Sequence, residues 1–202
     1  MRSHFGACGG WQSIARCIYL SKVTTFRKVY GLSEVILAQV RKNYVFQAES
    51  INHLDMTIGI ATDHGGIELK QQIQAYLVKK GFSVKDFGAY EYDAADDFPD
   101  FVIPLARAVG AGEVDRGIAC CGSGVGASIA ANKIKNVRAC LINESYSAAQ
   151  GVEHDDMNMI CLGGRVIGIA LAETLVDAFL GAEYAALPRQ LRRMGKVADL
   201  EK

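Results

Sequence analysis

Near its middle the chain sets a thiol directly before three glycines in five residues: Cys121, then Gly122, Ser123, Gly124, Val125 and Gly126. Glycines at that density let backbone N–H groups converge, and a helix beginning there adds partial positive charge, so an anion is expected in the loop. The plain alternative is a tight strand-to-helix turn without a ligand, which needs fewer glycines. A thiol at a helix start carries more thiolate than a free one, which makes Cys121 a candidate base or nucleophile. As a base it would sit beside N–H groups able to stabilise an oxyanion, which suits proton abstraction next to a carbonyl through an enediolate. Cys120 should face the other side of its strand and pack as a small core residue.

The same glycines admit a rival reading. Gly122, Gly124 and Ala127 satisfy the dinucleotide pattern G-x-G-x-x-G/A, with Glu144 about 20 residues further on. Against it, the motif follows the third strand-like run rather than the first, and little chain remains for a separate substrate domain. No Lys-Ser/Thr pair ends the loop, which weighs against a Walker-type nucleotide site.

Three further groups complete the chemical inventory. His154, followed by Asp155, Asp156 and Asn158, lies in a polar stretch; a histidine shuttles protons near neutral pH, although a solvated turn would look the same. Asp63 and His64 follow the first strand-like run and are placed either to bind a ligand or to cap the next helix. Arg189 and Arg193 are four apart, so both guanidinium groups share one helical face and can reach one phosphate; solvated surface charge is the bland alternative. No residues show metal-ligand spacing, and the six cysteines at 8, 17, 120, 121, 140 and 161 form no CxxC pair.

The elements that must position these groups alternate between short apolar runs and amphipathic stretches from Met56 onward, the pattern of βαβ units around a mainly parallel sheet. Five strands are predicted at 57–61, 82–87, 117–121, 137–142 and 159–162. Helices are predicted from the recurrence of Leu69, Ile73 and Leu77 up to Gly81, from Pro99 to Gly110, from the glycine loop to about Lys135, over 145–153, and over 166–180. The fold class is therefore α/β, with a five-stranded, Rossmann-like sheet. Ligands in such folds sit outside the carboxyl ends of the strands, where Asp63, His64, the glycine loop, Asn143, Glu144 and Arg165 all fall.

Composition narrows the partners. Over 202 residues, 22 basic and 22 acidic side chains cancel, which argues against nucleic acid or an anionic membrane. No apolar run approaches the ~18–20 residues of a membrane span, and the cysteine usage suits a reducing compartment, the cytoplasm. Residues 1–55 differ in kind, with seven Lys/Arg against three acids. They are read as an extension, either an over-extended start ahead of Met56 or a weak transit-like segment, and residues 56–202 as the domain.

Over 56 to about 196 the sequence resembles the ribose-5-phosphate isomerase B family, which includes the galactose-6-phosphate isomerase subunits. The resemblance rests on Asp63-His64-Gly65-Gly66, on Cys121 through Gly126 with Ala130-Ala131-Asn132-Lys133, on Tyr146-Ser147-Ala148, on His154-Asp155-Asp156-Met157-Asn158 and on Gly163-Gly164-Arg165. It implies a three-layer α/β/α sandwich, no metal and no organic cofactor, and a homodimer or homotetramer whose sites are shared between subunits. Carried over, Cys121 moves the proton between the first two sugar carbons and His154 assists ring opening. Asp63 and His64 contact the sugar phosphate; Gly122, Ser123, Gly124, Val125 and Gly126 hold the enediolate; Arg165, Arg189 and Arg193, with Asp155, complete substrate binding. Asp155 stands where many members have Asn, Gln190 where His is frequent and Ser123 where Thr is frequent, so the sugar is less determined than the reaction. Ribose 5-phosphate and ribulose 5-phosphate are the expected pair, with a hexose 6-phosphate such as galactose 6-phosphate as the nearest alternative. A non-catalytic sugar-phosphate-binding module and a nucleotide-binding oxidoreductase are readings of other classes.

Overall fold

The computed structural model describes residues 56–201, and the expectations for residues 1–55 lie outside them. Five strands form one sheet in which every pairing is parallel. They are β1 (Thr57–Thr62), β2 (Ser83–Asp86), β3 (Arg116–Cys121), β4 (Ala139–Leu141) and β5 (Met159–Gly163), in the order β2-β1-β3-β5-β4. Six α-helices accompany them: α1 (Ile67–Lys79), α2 (Pro99–Gly110), α3 (Val125–Ala131), α4 (Ser145–Asp155), α5 (Ile169–Gly181) and α6 (Pro188–Ala198).

Strand alternation divides the core into two layers. Ile58, Ile60, Ile118, Cys120, Ile160 and Leu162 point to one face, where they pack with Leu69, Ile73 and Leu77 of α1, Val152 of α4 and Leu175 and Phe179 of α5. Ala61, Ala119, Cys121, Met159 and Cys161 point to the other, against Val102, Leu105 and Val109 of α2 and Ala127 and Ala131 of α3. The result is the three-layer α/β/α arrangement, and strands covered on both faces explain why β1, β3 and β5 read as continuous apolar runs. The second face uses small residues so that α2 can approach. A Cβ on Gly117 would stand 2.9 Å from Val109 Cγ2 and 3.0 Å from Met159 Cγ.

Among the boundaries that differ from the sequence reading, three bear on the site. The helix after the glycine loop ends at Ala131 rather than near Lys135, because the Asn132 side chain donates to Ala139 O (2.7 Å) and accepts from Ala139 N (2.9 Å), tying the chain to the start of β4. The helix expected from 166 starts at Ile169, because the N–H groups of Val166 and Ile167 both turn back to Gly163 O. Helix α4 runs to Asp155, so His154 lies in its last turn and not in a solvated loop.

Replacing Gly117 by Val is expected to lower unfolding free energy by about 1–3 kcal/mol through overpacking between sheet and α2. A fall in the urea midpoint at unchanged slope is the readout; an unchanged midpoint would show that α2 has room to yield.

Candidate active site

The carboxyl ends of β1, β3 and β5 lie side by side, and the segments that leave them meet backbone to backbone. Gly164 N donates to Cys121 O at 2.8 Å and Arg165 N to Gly122 O at 3.1 Å. A Cβ on Gly66 would fall 2.8 Å from Cys120 C and Cys121 N, and one on Gly164 would fall 2.9 Å from Gly65 O. No side chain fits between these loops, so the glycines of the Gly65-Gly66 and Gly163-Gly164 pairs are there for proximity.

Cys121 is the last residue of β3 and only 5% exposed. Its Sγ accepts a hydrogen bond from Gly124 N at 2.9 Å, which fixes the sulfur against the glycine loop. Gly124 adopts φ +81°, and a Cβ there would meet Leu141 Cδ1 at 2.6 Å, so both conformation and space exclude a side chain. Ser123 Oγ accepts from Val125 N at 3.3 Å, Val125 opens α3, and Gly126 lies against the Phe98 ring. The exposed Arg165 lies over the loop, its side-chain atoms 3.9 Å from where a Gly122 Cβ would be. The neighbouring thiols are chemically quiet: burial pushes Cys120 up to about 12 and raises Cys161 as well.

Asp63 and His64 follow β1 at the same rim. Asp63 is 8% exposed and its Oδ1 accepts from Gly65 N at 2.8 Å, so it does cap the short 3-10 turn His64–Gly66. Burial is the main influence on its carboxyl and raises its pKa, with the Gly65 N–H opposing. The His64 ring Nδ1 lies 2.6 Å from Asp96 Oδ1.

His154, Asp155, Arg189 and Arg193 are elsewhere. Helix α4 starts beyond the carboxyl end of β4 and runs back along the sheet, so its last turn is about 15 Å from its first. That turn carries His154, whose Nδ1 is 2.8 Å from Gln150 Nε2, and the exposed Asp155. Helix α6 is fastened to the same end: Ala185 N donates to Glu153 O at 3.0 Å and the buried Gln190 Nε2 to the same oxygen at 3.3 Å. Arg189 and Arg193, both exposed, therefore lie on a helix tethered at the end of α4 that carries His154. A cavity of about 360 Å³ beside α6, lined by Asn136, Arg138, Asp156 and Met194 among others, includes none of the residues to which the sequence reading gave a catalytic or binding role.

Two residues at the rim escaped the sequence reading. Asp96 was one acid among several in a polar loop, with nothing to single it out. Lys70 is 2% exposed, its Nζ bonded to Asp86 Oδ1 at 2.6 Å and to Ala89 O at 2.8 Å, which ties the end of β2 and the segment after it to α1. A signal existed for it: Lys70 falls on the apolar stripe with Ile73 and Leu77, where a solvated lysine has no place. Among the described residues no three His, Cys, Asp or Glu side chains gather as a metal site would need, and no helix is long and apolar enough to cross a membrane.

A thiol beside a glycine-rich loop at the carboxyl edge of a parallel sheet, with an arginine over the loop, is an arrangement with which an α/β protein can receive a small anionic ligand. Residues 58–197 match the model of the Ribose/Galactose Isomerase family. The chain is 44% identical over 135 residues to ribose-5-phosphate isomerase B of Escherichia coli, an alignment covering 67% of this chain and 90% of that protein. Among solved structures it superposes on ribose-5-phosphate isomerase B of Clostridium thermocellum with a TM-score of 0.70 and 46% identity, over 72% of this chain and 97% of that one. The enzyme of Mycoplasma genitalium, solved with bound ribulose-5-phosphate, gives 0.69 and 39%, over 73% and 97%. This chain belongs to the ribose/galactose isomerase family and is an aldose–ketose isomerase.

Replacing Gly66 by Ala is expected to part the β1 and β3 loops by a few tenths of an ångström and to lower isomerase kcat/KM about tenfold or more. The assay is paired with a thermal melt; full activity would show that the rim tolerates separation.

Proposed function

We propose that this protein interconverts ribose 5-phosphate and ribulose 5-phosphate, with Cys121 as the base. The observation that carries the reading is the Cys121 sulfur, fixed by the Gly124 N–H of a glycine-rich loop at the end of the central strand. On the open-chain aldose the thiolate removes the proton from C2. The C–H electrons form the C1–C2 double bond of an enediolate, and charge passes to O1, which the amides of the loop stabilise. The O2 proton then moves to O1, and return of the proton from the Cys121 thiol to C1 gives the ketose and restores the thiolate. Arg165, Asp63 and His64 sit at the same rim and would bind the substrate's polar groups.

The reading also requires a second copy. His154, for ring opening, and Arg189 and Arg193, for phosphate, lie at the opposite end of their own chain, so we propose a dimer or larger assembly in which one chain supplies Cys121 and its loop and another supplies His154 and the arginines. Four described cysteines are free, which supports a cytoplasmic setting. Asp155, an acceptor-only carboxylate, favours testing hexose 6-phosphates in parallel.

Ribose 5-phosphate turnover by the full chain should fall about 10³-fold in Cys121→Ala, and Cys121→Ser should be nearly as poor because a hydroxyl is far less acidic than a thiol. Retained activity removes Cys121 as base, preference for galactose 6-phosphate reassigns the substrate, and binding without turnover points to a non-catalytic module. Shared sites have their own signature: inactive Cys121→Ala and His154→Ala chains, unfolded and refolded together, should recover about a quarter of wild-type activity, because half the dimers are mixed and each holds one intact site. No recovery from chains that do assemble would place each site within one chain.

A further inference from the structure

The loop between β2 and α2 sends one carboxylate to the rim, and that carboxylate grips a single residue twice. Asp96 Oδ1 lies 2.6 Å from His64 Nδ1, and the backbone N of His64 donates to both Asp96 oxygens at 3.1 and 3.0 Å. The Asp96 side chain is 8% exposed and that of His64 27%. Residues 93–96 form a turn in which Asp96 N donates to Asp93 O at 3.1 Å and Ala95 N to Asp93 Oδ1 at 2.9 Å, so the backbone of Asp96 is also held by its own loop. The Tyr92 ring meets the imidazole edge-on, centroids 6.1 Å apart at 82°.

We infer that Asp96 is a positioning residue for the isomerisation: it locks the His64 ring in one rotation and one tautomer, with the proton on Nδ1 and Nε2 turned to the substrate. The chemistry is set by the acceptor. An ionised carboxylate only accepts hydrogen bonds, so Nδ1 must donate, and Nε2 is left as the one ring atom whose state the ligand can read. Two bonds to one residue fix its backbone and its ring together, which removes the rotamer freedom that substrate binding would otherwise have to freeze. When Nε2 donates to a phosphorylated sugar, the buried carboxylate offsets the charge on the ring. Asp96 acts only through His64, so the inference rests on the proposal that His64 contacts substrate.

The test uses the ¹⁵N-labelled full chain, whose four histidines keep ring spectra simple, with His64→Ala to assign the signals. In the ligand-free wild-type protein at a pH where the ring is neutral, long-range ¹H–¹⁵N spectra should show His64 protonated at Nδ1. In Asp96→Ala the ring should return to a tautomer mixture, and KM for ribose 5-phosphate should rise about tenfold with kcat changed less than about threefold. Asp96→Asn, which retains an acceptor oxygen without charge, should fall between the two and stands in if the alanine variant does not fold. An unchanged ring pattern in either folded variant, or an altered pattern with unchanged KM, overturns the positioning role. The substrate-contact reading fails separately, if His64→Ala itself leaves KM where it was.

Discussion

The contact on which everything else depends is the backbone-to-backbone approach of three loops at one edge of the sheet. Strands β1, β3 and β5 are neighbours, so their ends arrive about 4.8 Å apart, and only glycine lets the segments beyond them stay that close. The hydrogen bonds from Gly164 to Cys121 and from Arg165 to Gly122 then tie the exit of β5 to the exit of β3. A thiol, an amide-lined loop, an arginine and an Asp-His pair from widely separated sequence positions share one rim as a result. Glycine at these positions costs backbone entropy on folding, and the strands behind them, buried on both faces, supply the compensating apolar burial.

The same alternation that builds the two core layers separates two adjacent thiols by chemistry. Cys120 enters the face of α1 and α5, where burial keeps it protonated, while Cys121 turns to the face of α3 and meets the Gly124 N–H. On the first of these faces Lys70 replaces an apolar contact with an ion pair to Asp86 and a bond to Ala89 O. That ammonium ties the segment after β2 to α1, while backbone bonds of Gly88 and Ala89 with Thr62 join it to β1, and the chain continues from there to Asp96. The acidic loop is thus part of the scaffold of the rim and not only its solvated margin.

What was legible in the sequence follows from which forces are local. The central strands announced themselves as apolar runs and were bounded to within a residue, and Cys121 was separable from Cys120 by strand period alone. The helix end at Ala131 was not legible, because it is decided by an Asn132 side chain reaching β4, and the start of α5 was hidden by a turn onto Gly163. The grouping of site residues was legible only in part. Asp63, His64, Cys121 and Arg165 fall together because each follows a strand of one parallel sheet, whereas the direction in which α4 runs carries His154 to the far end. The pairing of Asp96 with His64 spans 32 residues and depends on loop shape, which no periodicity encodes.

Helix α6 contributes one buried side chain, Gln190, to the described fold, whereas Cys121 ends the middle strand of the sheet. The two therefore belong to opposite ends of the protein's range of local stability. Amide hydrogens of α6 should exchange through small, frequent openings, while those of β3 wait for the whole sheet to come apart. On the proposed assignment of Arg189 and Arg193 to the phosphate, mild heat or low denaturant would thus loosen the arginines first and leave the sulfur in its setting, so that loss of activity begins as fading affinity and ends, much later, as loss of the fold.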